Sequence, residues 1–173
     1  IIEKIVIEGN KAVPNKKINS LLEVEQGKIL NMEQLKSSIK KINDYYQQNG
    51  YPLGRVIDRR IKKGDQLYLK IDEGDVNKIT IEGNKETMDY VIRRELSMEP
   101  GDVLDMKQLQ KDIRKLYNLG FFKGIEPQFK RVENNPQAVN INLKVTEKKT
   151  GSFQIGVSNS QDSGDMGTIN ISI

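Results

Sequence analysis

The stretch that decides the fold is Lys4-Ile-Val-Ile-Glu-Gly-Asn-Lys11, because it returns almost unchanged as Lys78-Ile-Thr-Ile-Glu-Gly-Asn-Lys85. Ile7 and Ile81 occupy the same place in the two copies, and the distance between them along the chain defines the repeat offset. The same offset continues beyond the motif through the pairs Ile18/Ile92, Leu22/Leu96, Gly27/Gly101, Leu30/Leu104, Met32/Met106, Leu35/Leu109 and Ile39/Ile113. A fixed internal period of this kind indicates tandem copies of one folding unit.

The first copy begins with a strand and a helix. Alternating side chains predict a strand over Lys4–Glu8, and Gly9-Asn10 favours the positive φ that ends strands. Pro14 fits the first turn of a helix that continues to about Val24.

A second helix and a hairpin complete the first copy. Asn31 stands three residues before Gln34, the spacing of a capping box, and the apolar residues that follow recur at steps of three and four. Asn49-Gly50 closes this helix. Two strands then follow, over Arg55–Ile61 and Gln66–Ile71, joined by the tight turn Lys62-Lys-Gly-Asp65.

The second copy predicts the same order of elements. We expect strands over Lys78–Glu82, Gly124–Val132 and Val139–Thr146, a turn at Asn134–Pro136, and a helix over Met88–Leu96 capped by Thr87. Asp105 and Gln108 repeat the capping-box spacing. One length difference is visible, where the shorter Tyr117–Phe121 replaces Tyr45–Tyr51 and removes about one helical turn.

The period divides the chain into unit one (residues 1–74), unit two (75–148) and a remainder (149–173). The junction Glu73-Gly74-Asp75 is a hinge too short for independent motion, so we expect a semi-rigid tandem. Units of this size bury only about 60% of their unfolded surface, which favours contact between them.

The remainder has a different composition, richer in Gly and Ser. Apolar residues alternate over Phe153–Val157 and Ile169–Ile173, with the turn Gln161–Asp165 between them. One interpretation is an amphipathic surface hairpin, and the other is the first strands of a transmembrane β-barrel. The chain opens on Ile1-Ile2 inside one strand and closes on Ile171-Ser-Ile173 inside another, so we expect it to be part of a longer protein.

Composition argues against an enzyme. The chain has no Cys, His or Trp, which removes disulfides, the usual zinc ligands and the common nucleophile–base pairs. We therefore expect no catalytic residues, no metal site and no cofactor. The carboxylates Asp72, Glu73 and Asp75 are expected to be solvated turn residues. The formal net charge is +4, but both signs alternate along the chain, which favours a solvated surface over a nucleic-acid site.

These features together resemble the POTRA (polypeptide-transport-associated) domain. The resemblance is carried by the paired Ile-Glu-Gly-Asn copies, by Ile71-Asp-Glu-Gly74 and by Leu116-Tyr-Asn-Leu-Gly-Phe-Phe122, with Gly9, Asn10, Gly83, Asn84, Gly120 and Phe121 as its structural signature. It implies an α+β fold of two tandem β-α-α-β-β units, each a three-stranded mixed sheet covered by two helices. Gly151-Ser-Phe-Gln-Ile-Gly156 is similar to the first barrel strand in the BamA-type outer-membrane insertase family.

The resemblance implies a location and a task. We expect the two units to be the last POTRA domains before a barrel in the outer membrane, and to lie in the periplasm. They would bind unfolded outer-membrane proteins and accessory assembly proteins or chaperones, and pass barrel proteins to the insertase.

Binding strands of many sequences requires an open sheet edge, since every peptide offers the same backbone donors and acceptors. In POTRA domains the second strand lies at the edge, which in unit one implies Arg55, Val56, Ile57, Asp58, Arg59, Arg60 and Ile61. The arginines would discourage permanent edge-to-edge association, and a second interpretation is that they only keep the edge soluble.

Unit two differs at this strand, because Pro127 removes one backbone donor and is itself typical of an edge. We therefore expect unit one to be the better strand acceptor. Phe121 and Phe122 are expected to pack beneath the second helix, and the alternative is an exposed aromatic contact for the barrel or a partner.

Two other functions compete with this one. A two-partner secretion transporter or translocation-assembly protein also carries POTRA units before a barrel, but handles a narrower cargo. An RNA-binding module of the KH type would need a Gly-x-x-Gly loop between its helices, and no such loop occurs there. We therefore expect no nucleic-acid partner.

Overall fold

The computed structural model describes residues 1–149, 153–158 and 166–171. Unit one contains β1 (Lys4–Glu8), α1 (Asn15–Asn19), α2 (Met32–Gln48), β2 (Arg55–Lys62) and β3 (Gln66–Asp72). The strand order is β1-β3-β2, with β1 parallel and β2 antiparallel to the central β3.

Unit two repeats this arrangement. It contains β4 (Asp75–Glu82), α3 (Asp89–Arg93), α4 (Met106–Asn118), β5 (Phe122–Val132) and β6 (Asn135–Glu147). Its strand order is β4-β6-β5, again with a parallel first pair and an antiparallel second pair. The predicted pair of three-stranded mixed sheets in a β-α-α-β-β order is confirmed.

One face of each sheet packs against the helices. In unit one, the alternating residues Leu67, Leu69 and Ile71 of β3 join the core, with Leu35 and Ile42 of α2 above them. In unit two the same positions are filled by Ile141, Leu143 and Val145 of β6. Because the buried face of a strand has period two, this alternation fixes the register of each central strand.

The first helix of each unit is shorter than predicted, since α1 ends at Asn19 and α3 at Arg93. The reason is a tertiary bond that the local pattern does not contain. The Glu23 N–H donates to the buried Ser38 Oγ at 2.7 Å, and the Ser97 N–H donates to the buried Asp112 Oδ2 at 2.7 Å. These bonds hold the chain against the second helix and prevent it from continuing the first.

The predicted caps of the second helices are confirmed. Asn31 Oδ1 accepts from the N–H groups of Glu33 and Gln34, and Asp105 Oδ1 accepts from those of Lys107 and Gln108. The cap assigned to Thr87 is wrong, because Met88 is the residue that precedes α3 and its side chain makes no cap bond.

Several strand limits differ from the predicted ones. β4 begins at Asp75, three residues early, so that Asp75 belongs to a strand and not to a free linker. The turn between β5 and β6 is Glu133-Asn134, and Asn135 and Pro136 lie in β6. Asn134 takes the positive φ (64°) that such a tight hairpin requires.

The units differ in length at more places than the one predicted. α2 has 17 residues and α4 has 13, as expected. The β5–β6 hairpin is longer in compensation: residues 131–139 separate the pair Lys130 and Asn140, whereas residues 63–65 separate the equivalent pair Lys62 and Gln66. The shorter α4, a shorter connection after it and the lack of a counterpart to the Ile57 bulge together offset the longer hairpin. The original repeat offset therefore returns in the last strand and hides these changes.

The remainder contains β7 (Phe153–Ser158) and β8 (Met166–Ile171), which pair antiparallel. The turn predicted at Gln161–Asp165 and the residues Gly151, Ser152 and Ile173 lie outside the described residues. The assignment of this segment to a barrel stays a prediction.

Among the described residues, no helix is both long and apolar enough to cross a membrane.

Gly9 and Gly83 end the first strand of each unit at a point where the backbone is crowded. Their φ angles are +91° and +94°. A Cβ on Gly9 would lie 2.0 Å from the Ile71 carbonyl oxygen, and one on Gly83 would lie 2.1 Å from that of Val145. Positive φ and close backbone approach both exclude a side chain here.

We expect Gly9→Ala to destabilise unit one strongly, with Gly27→Ala as its matched control. Gly27 also has a positive φ (+84°), but a Cβ there would meet no atom within 4 Å. Gly27→Ala should therefore cost only the backbone strain, about 1 kcal/mol, while the clash at Gly9→Ala should add about 1–3 kcal/mol. Urea unfolding measures both, and equal losses would contradict the close-approach argument.

Candidate functional site: the open strand edges

The residues predicted to accept a strand lie on β2, at the edge of the first sheet. Within the described residues, β2 pairs with β3 along one side, and its other side faces away from the sheet. The ladder shifts between Val56 and Asp58, so Ile57 is an extra residue in a bulge. The continuous part of the edge therefore runs from Asp58 to Lys62.

The opposite edges, formed by β1 and β4, are partly covered by the loop before the second helix. The Gly27 N–H donates to the Ile2 carbonyl at 2.8 Å, and the Gly101 N–H donates to the Val76 carbonyl at 2.7 Å. In unit two, the Arg93 guanidinium also donates to the carbonyl of Ile79. These contacts lie within β4 in unit two, whereas in unit one the contact lies at Ile2, just ahead of β1.

A groove of two sections runs between β2 and α2, the first with a mainly apolar lining and the second with a mainly polar one. Its two sections share Arg59, and its remaining lining residues are Leu30, Met32, Leu35, Arg60, Ile61 and Leu67 in one section and Ile39, Val56, Ile57 and Asp58 in the other. Side chains of a strand point alternately to its two faces. A strand added to β2 would therefore place every second side chain over this groove.

The three arginines of β2 have different surroundings. Arg60 forms an ion pair with Asp58 at 2.9 Å and lies over the Tyr68 ring at 5.2 Å. With the Gln137 amide turned so that its oxygen accepts, Arg55 Nε and Nη2 donate to it at 3.0 and 3.3 Å. Arg59 lines the groove, which leaves it the best placed of the three to meet a bound chain.

In each edge strand, the first N–H that points away from the sheet donates to a side chain of the second helix. Asn43 Oδ1 accepts from the Val56 N–H at 2.9 Å, and the Tyr117 hydroxyl accepts from the Ile125 N–H at 2.9 Å. Asn43 and Tyr117 are related by the repeat offset. An added strand can therefore pair only beyond Val56 or Ile125, so these side chains set where pairing begins.

Pro127 occupies the middle of the β5 edge, opposite Leu143, as Arg59 lies opposite the equivalent Leu69 of β3. Proline has no N–H, so it is tolerated only where the backbone faces away from the neighbouring strand. By equivalence the Arg59 N–H also faces outward. Unit one thus offers a backbone donor at a position where unit two has none.

The carboxylates of Glu73 and Glu147 anchor the central strands, which corrects the expectation that Glu73 is a solvated turn residue. Glu73 is 3% exposed and accepts from the N–H groups of Lys11, Ala12 and Val13 at 2.6–3.2 Å. Glu147 accepts from the three equivalent N–H groups, those of Lys85, Glu86 and Thr87. Each carboxylate fastens the loop after the first strand to the end of the central strand.

Hydrogen bonds and burial shift the pKa of Glu147, Tyr46 and Asp112. Backbone hydrogen bonds from Thr87 and Glu86 lower the pKa of Glu147 to about 2. In unit one, Tyr46 donates to Glu73 at 2.8 Å, and burial together with this bond raises the pKa of Tyr46. For the buried Asp112, burial alone would raise the pKa, but bonds from Ser97, Lys115 and Gln108 outweigh it and lower the pKa.

The predicted hinge lies in a packed joint. Glu73 is held in its ring of N–H groups, Gly74 is buried with φ +76°, and Asp75 begins β4 while facing Lys11 at 3.8 Å. The Gly74 carbonyl accepts from the Leu104 N–H, and the Gly50 carbonyl accepts from the Met106 N–H. Leu53 also packs against the core of unit two.

None of the six signature residues is buried, and the glycines and asparagines act through the backbone and through side-chain hydrogen bonds respectively. Gly9 and Gly83 take positive φ, but Asn10 and Asn84 do not; their side chains instead donate to the carbonyls of Val13 and Thr87. Gly120 follows α4 with φ +77°.

The two phenylalanines of unit two have opposite surroundings. Phe122 is 1% exposed and belongs to the core, as predicted. Phe121 is 48% exposed, so the expectation that it is buried is wrong.

Within residues 1–149, the carboxylates of Asp72, Glu73 and Asp75 do not form a cluster. Glu73 points into its own ring of N–H groups, while Asp72 accepts from the Gly74 N–H and Asp75 faces Lys11. No group of three acidic side chains in this part of the chain could hold a metal ion.

The family model for POTRA, described as surface antigen variable number repeat, matches residues 1–74 and again residues 75–148.

Known relatives match across most of the chain. It is 28% identical over 169 residues to outer membrane protein assembly factor BamA from Neisseria meningitidis, covering 93% of this chain and 21% of that protein. It is 26% identical to the chloroplastic outer envelope protein 80 from Oryza sativa, covering 88% and 24%. The chain thus spans about a fifth to a quarter of the length of these relatives.

Among solved structures, the chain is similar to the N-terminal domain of Omp85 from Thermosynechococcus elongatus. The identity is 31% and the TM-score is 0.74, with 86% of this chain and 67% of that one covered.

The lowered pKa of Glu147 makes unit two sensitive to acid. A carboxyl whose pKa falls from 4.5 when unfolded to about 2 when folded stabilises the unit above pH 4.5. This stabilisation is lost as the pH falls from 4.5 toward 2. We expect the melting temperature of Glu147→Gln to fall less over that interval than that of the parent chain. Glu126→Gln, on an exposed side chain of β5, is the control and should keep the parent slope.

Tyr117→Phe tests the hydrogen bond from the Ile125 N–H to the Tyr117 hydroxyl. The substitution leaves the Ile125 N–H without its acceptor, which should cost about 1 kcal/mol and speed amide exchange at Ile125. Tyr90→Phe removes a hydroxyl from an exposed ring on α3 and serves as control. Unchanged exchange at Ile125 would show that the Tyr117 hydroxyl does not protect this amide.

Proposed function

The chain belongs to the POTRA family, and on that premise we propose that its two units form the periplasmic part of an outer-membrane protein assembly factor. In this proposal, unit one receives segments of unfolded outer-membrane proteins as strands added to β2. The observation that carries the proposal is the open β2 edge beside the apolar section of this groove. The names of the relatives support the task, and the edge supports the mode of binding.

The proposed mechanism uses the backbone for affinity and the groove for selection. Beyond the bulge at Ile57, the N–H and C=O groups of alternate residues face outward and can form a ladder with any extended chain. Every second side chain of the guest would lie over Leu35, Ile39 and Ile61. Strands of membrane barrels alternate apolar and polar residues, which suits a groove that accepts one face only.

Charge on the edge makes the binding reversible. Arg59 and Arg60 lie beside the ladder, where charged groups oppose permanent association between copies of the edge. Arg60 is already neutralised by Asp58, so the open charge belongs to Arg59. In this proposal Arg60 has a structural role and Arg59 contacts the guest.

The proposal also extends to partners and to the remainder of the chain. Accessory assembly proteins or chaperones would use the same outward donors, and the segment from residue 149 would lead into the barrel that anchors the units to the outer membrane. In this proposal the protein is not an enzyme. Its work is to hold an unfolded strand close to the place of insertion.

Arg59→Pro tests the ladder, because it copies into unit one the proline that unit two carries at the equivalent position. The probe is a ten-residue peptide of alternating Val and Thr with Glu at both ends, titrated into the isotope-labelled chain. We expect Arg59→Pro to weaken binding about tenfold, the loss of one backbone bond and its neighbours. The parent chain should show shifts at the amides of Arg59 and Ile61.

Arg59→Thr separates the donor from the charge. It keeps the N–H and removes the guanidinium, so binding should be much closer to the parent than to Arg59→Pro. Pro127→Thr should in turn create a new acceptor edge in unit two. Equal losses for Arg59→Thr and Arg59→Pro would show that charge, and not the ladder, holds the peptide. Shifts confined to β5 in the parent would contradict the assignment of the site to unit one.

A further inference from the structure

A pocket of about 340 Å³ lies at the joint between the two units, and we call it the joint pocket. Unit one contributes Pro52 and Leu53, from the loop after α2. The remaining lining residues belong to unit two and are Leu104, Met106, Phe129, Arg131 and Val139. Ligand pockets in proteins usually measure roughly 300–1,000 Å³. The joint pocket therefore has the size to hold a small molecule.

The floor of the joint pocket is apolar. Leu104 is 3% exposed and Val139 is 5% exposed, and both belong to the core of unit two. Leu53 packs against the same core, and Gly74 makes room for it, since a side chain on Gly74 would overlap Leu53. Phe129, by contrast, is 41% exposed. An apolar group can therefore enter from solvent and be covered by side chains of both units.

Arg131 is the charged residue of the lining. Within the part of the chain that the structure describes, its guanidinium forms no ion pair with a carboxylate. Asp105 lies next to the lining residues in the sequence, but its carboxylate accepts from N–H groups at the start of α4. A guanidinium can bind a carboxylate or phosphate through two parallel N–H donors. The joint pocket thus combines an apolar floor with a binding group for one anion.

The position of Arg131 in β5 explains why it lines the pocket. Arg131 pairs with Val139 across the ladder, and both residues belong to the lining. Phe129, two residues earlier, lies on the same face of the strand, whereas Lys130 lies on the opposite face. The sequence Phe-Lys-Arg therefore places an aromatic ring and a guanidinium side by side over one pocket.

The equivalent depression in unit one is smaller. Leu30 and Met32 correspond to Leu104 and Met106 by the repeat offset, and they line a depression of about 100 Å³. Among the residues that the structure describes, no counterpart of Leu53 lines that depression. The larger volume at the joint therefore goes with the wall that unit one adds to unit two.

We propose that the joint pocket binds a small anionic amphiphile, a molecule with one compact apolar group and a single carboxylate or phosphate. The apolar group lies on Leu104 and Val139 and against Leu53, and the anion lies on the Arg131 guanidinium. Because the walls belong to both units, the bound molecule holds the two units together. The site is separate from β2 and does not depend on the proposed strand binding.

The size of the pocket favours a free molecule over a bilayer. A volume of about 340 Å³ suits one ring or one short chain, and the two acyl chains of a bilayer lipid would not fit into it. A guest strand would instead pair along the outer backbone of β5, where Pro127 interrupts the ladder.

The test uses the chain labelled with ¹³C at its methionine methyl groups, titrated with 4-phenylbutanoate and followed by NMR. Met106 lines the joint pocket, and the equivalent Met32 lines the smaller depression of unit one. We expect the Met106 signal to shift until the site is saturated, while the signals of Met32 and the exposed Met88 stay in place. The neutral analogue 4-phenylbutan-1-ol should bind about three- to fivefold more weakly, the usual range for an exposed ion pair.

Three variants separate charge from shape. Arg131→Gln should weaken the binding of the acid by the same factor and leave the binding of the alcohol unchanged. Lys130→Gln is the matched control, because it removes the neighbouring charge from the opposite face and should change neither affinity. Leu53→Ala removes the wall from unit one and should weaken both ligands equally. The signal of Met98, which is buried in the core of unit two, reports that each variant is folded.

Amide exchange tests the effect on the joint. The Leu104 N–H donates to the Gly74 carbonyl at 3.1 Å, and the Met106 N–H donates to the Gly50 carbonyl at 2.8 Å, both across the joint. Opening of the joint removes one wall of the pocket, so a bound ligand must dissociate first. With 4-phenylbutanoate at twice its Kd, exchange at both amides should slow about threefold. The Leu35 N–H, bonded within unit one, is the control and should not change.

Several results would overturn the proposal. The Met106 signal could stay in place, or Met32 and Met106 could shift equally, which would indicate unspecific binding to apolar surface. Equal affinities for the acid and the alcohol would exclude the role of Arg131, and unchanged exchange at Leu104 would exclude the effect on the joint. A Met106 shift with vesicles of phosphatidylethanolamine and phosphatidylglycerol, but not with the acid, would assign the pocket to the membrane. The same result with the alternating Val and Thr peptide would assign it to a guest strand.

Discussion

The structure depends on one carboxylate in each unit that collects three backbone N–H groups. The first and central strands run parallel, so no hairpin can join them, and the chain must cross over two helices between them. Glu73 and Glu147 fasten the start of that crossover to the end of the central strand. Because the loop is held there, Gly9 and Gly83 must approach the central strand too closely for any side chain. One electrostatic contact thus fixes the strand, the loop and the entry to the first helix.

The differences between the two units are concentrated at the joint. The longer α2 leads into the loop that carries Gly50 and Leu53, and the longer β5–β6 hairpin carries Gln137, which accepts from Arg55. Each of these longer elements therefore contacts the other unit. Tyr46 connects this joint to the anchor of unit one, since it donates to Glu73 at the end of α2. The contact between the two units is thus formed by one lengthened element from each of them.

The internal repeat predicted the order of elements and the second-helix caps, because both are local or periodic properties. It did not predict what tertiary bonds decide. Glu73 and Glu147 share the repeat offset, a signal that was available, but a glutamate after a strand is usually solvated. The early ends of α1 and α3 follow from Ser38 and Asp112, which lie on another helix. The longer hairpin stayed hidden because shorter elements before it offset its extra length.

The candidate site has few open donors, which limits how tightly it can bind a guest. Asn43 and Tyr117 occupy the first outward N–H of each edge, Ile57 bulges, and Pro127 has no N–H to give. Each backbone bond contributes only about 0.5–1.5 kcal/mol net, and ordering a flexible guest opposes binding. In the proposed function, an edge with so short a ladder would hold an unfolded strand weakly and release it quickly. A short edge would suit the proposed task of passing the guest onward, because tight pairing along a full strand would trap the guest.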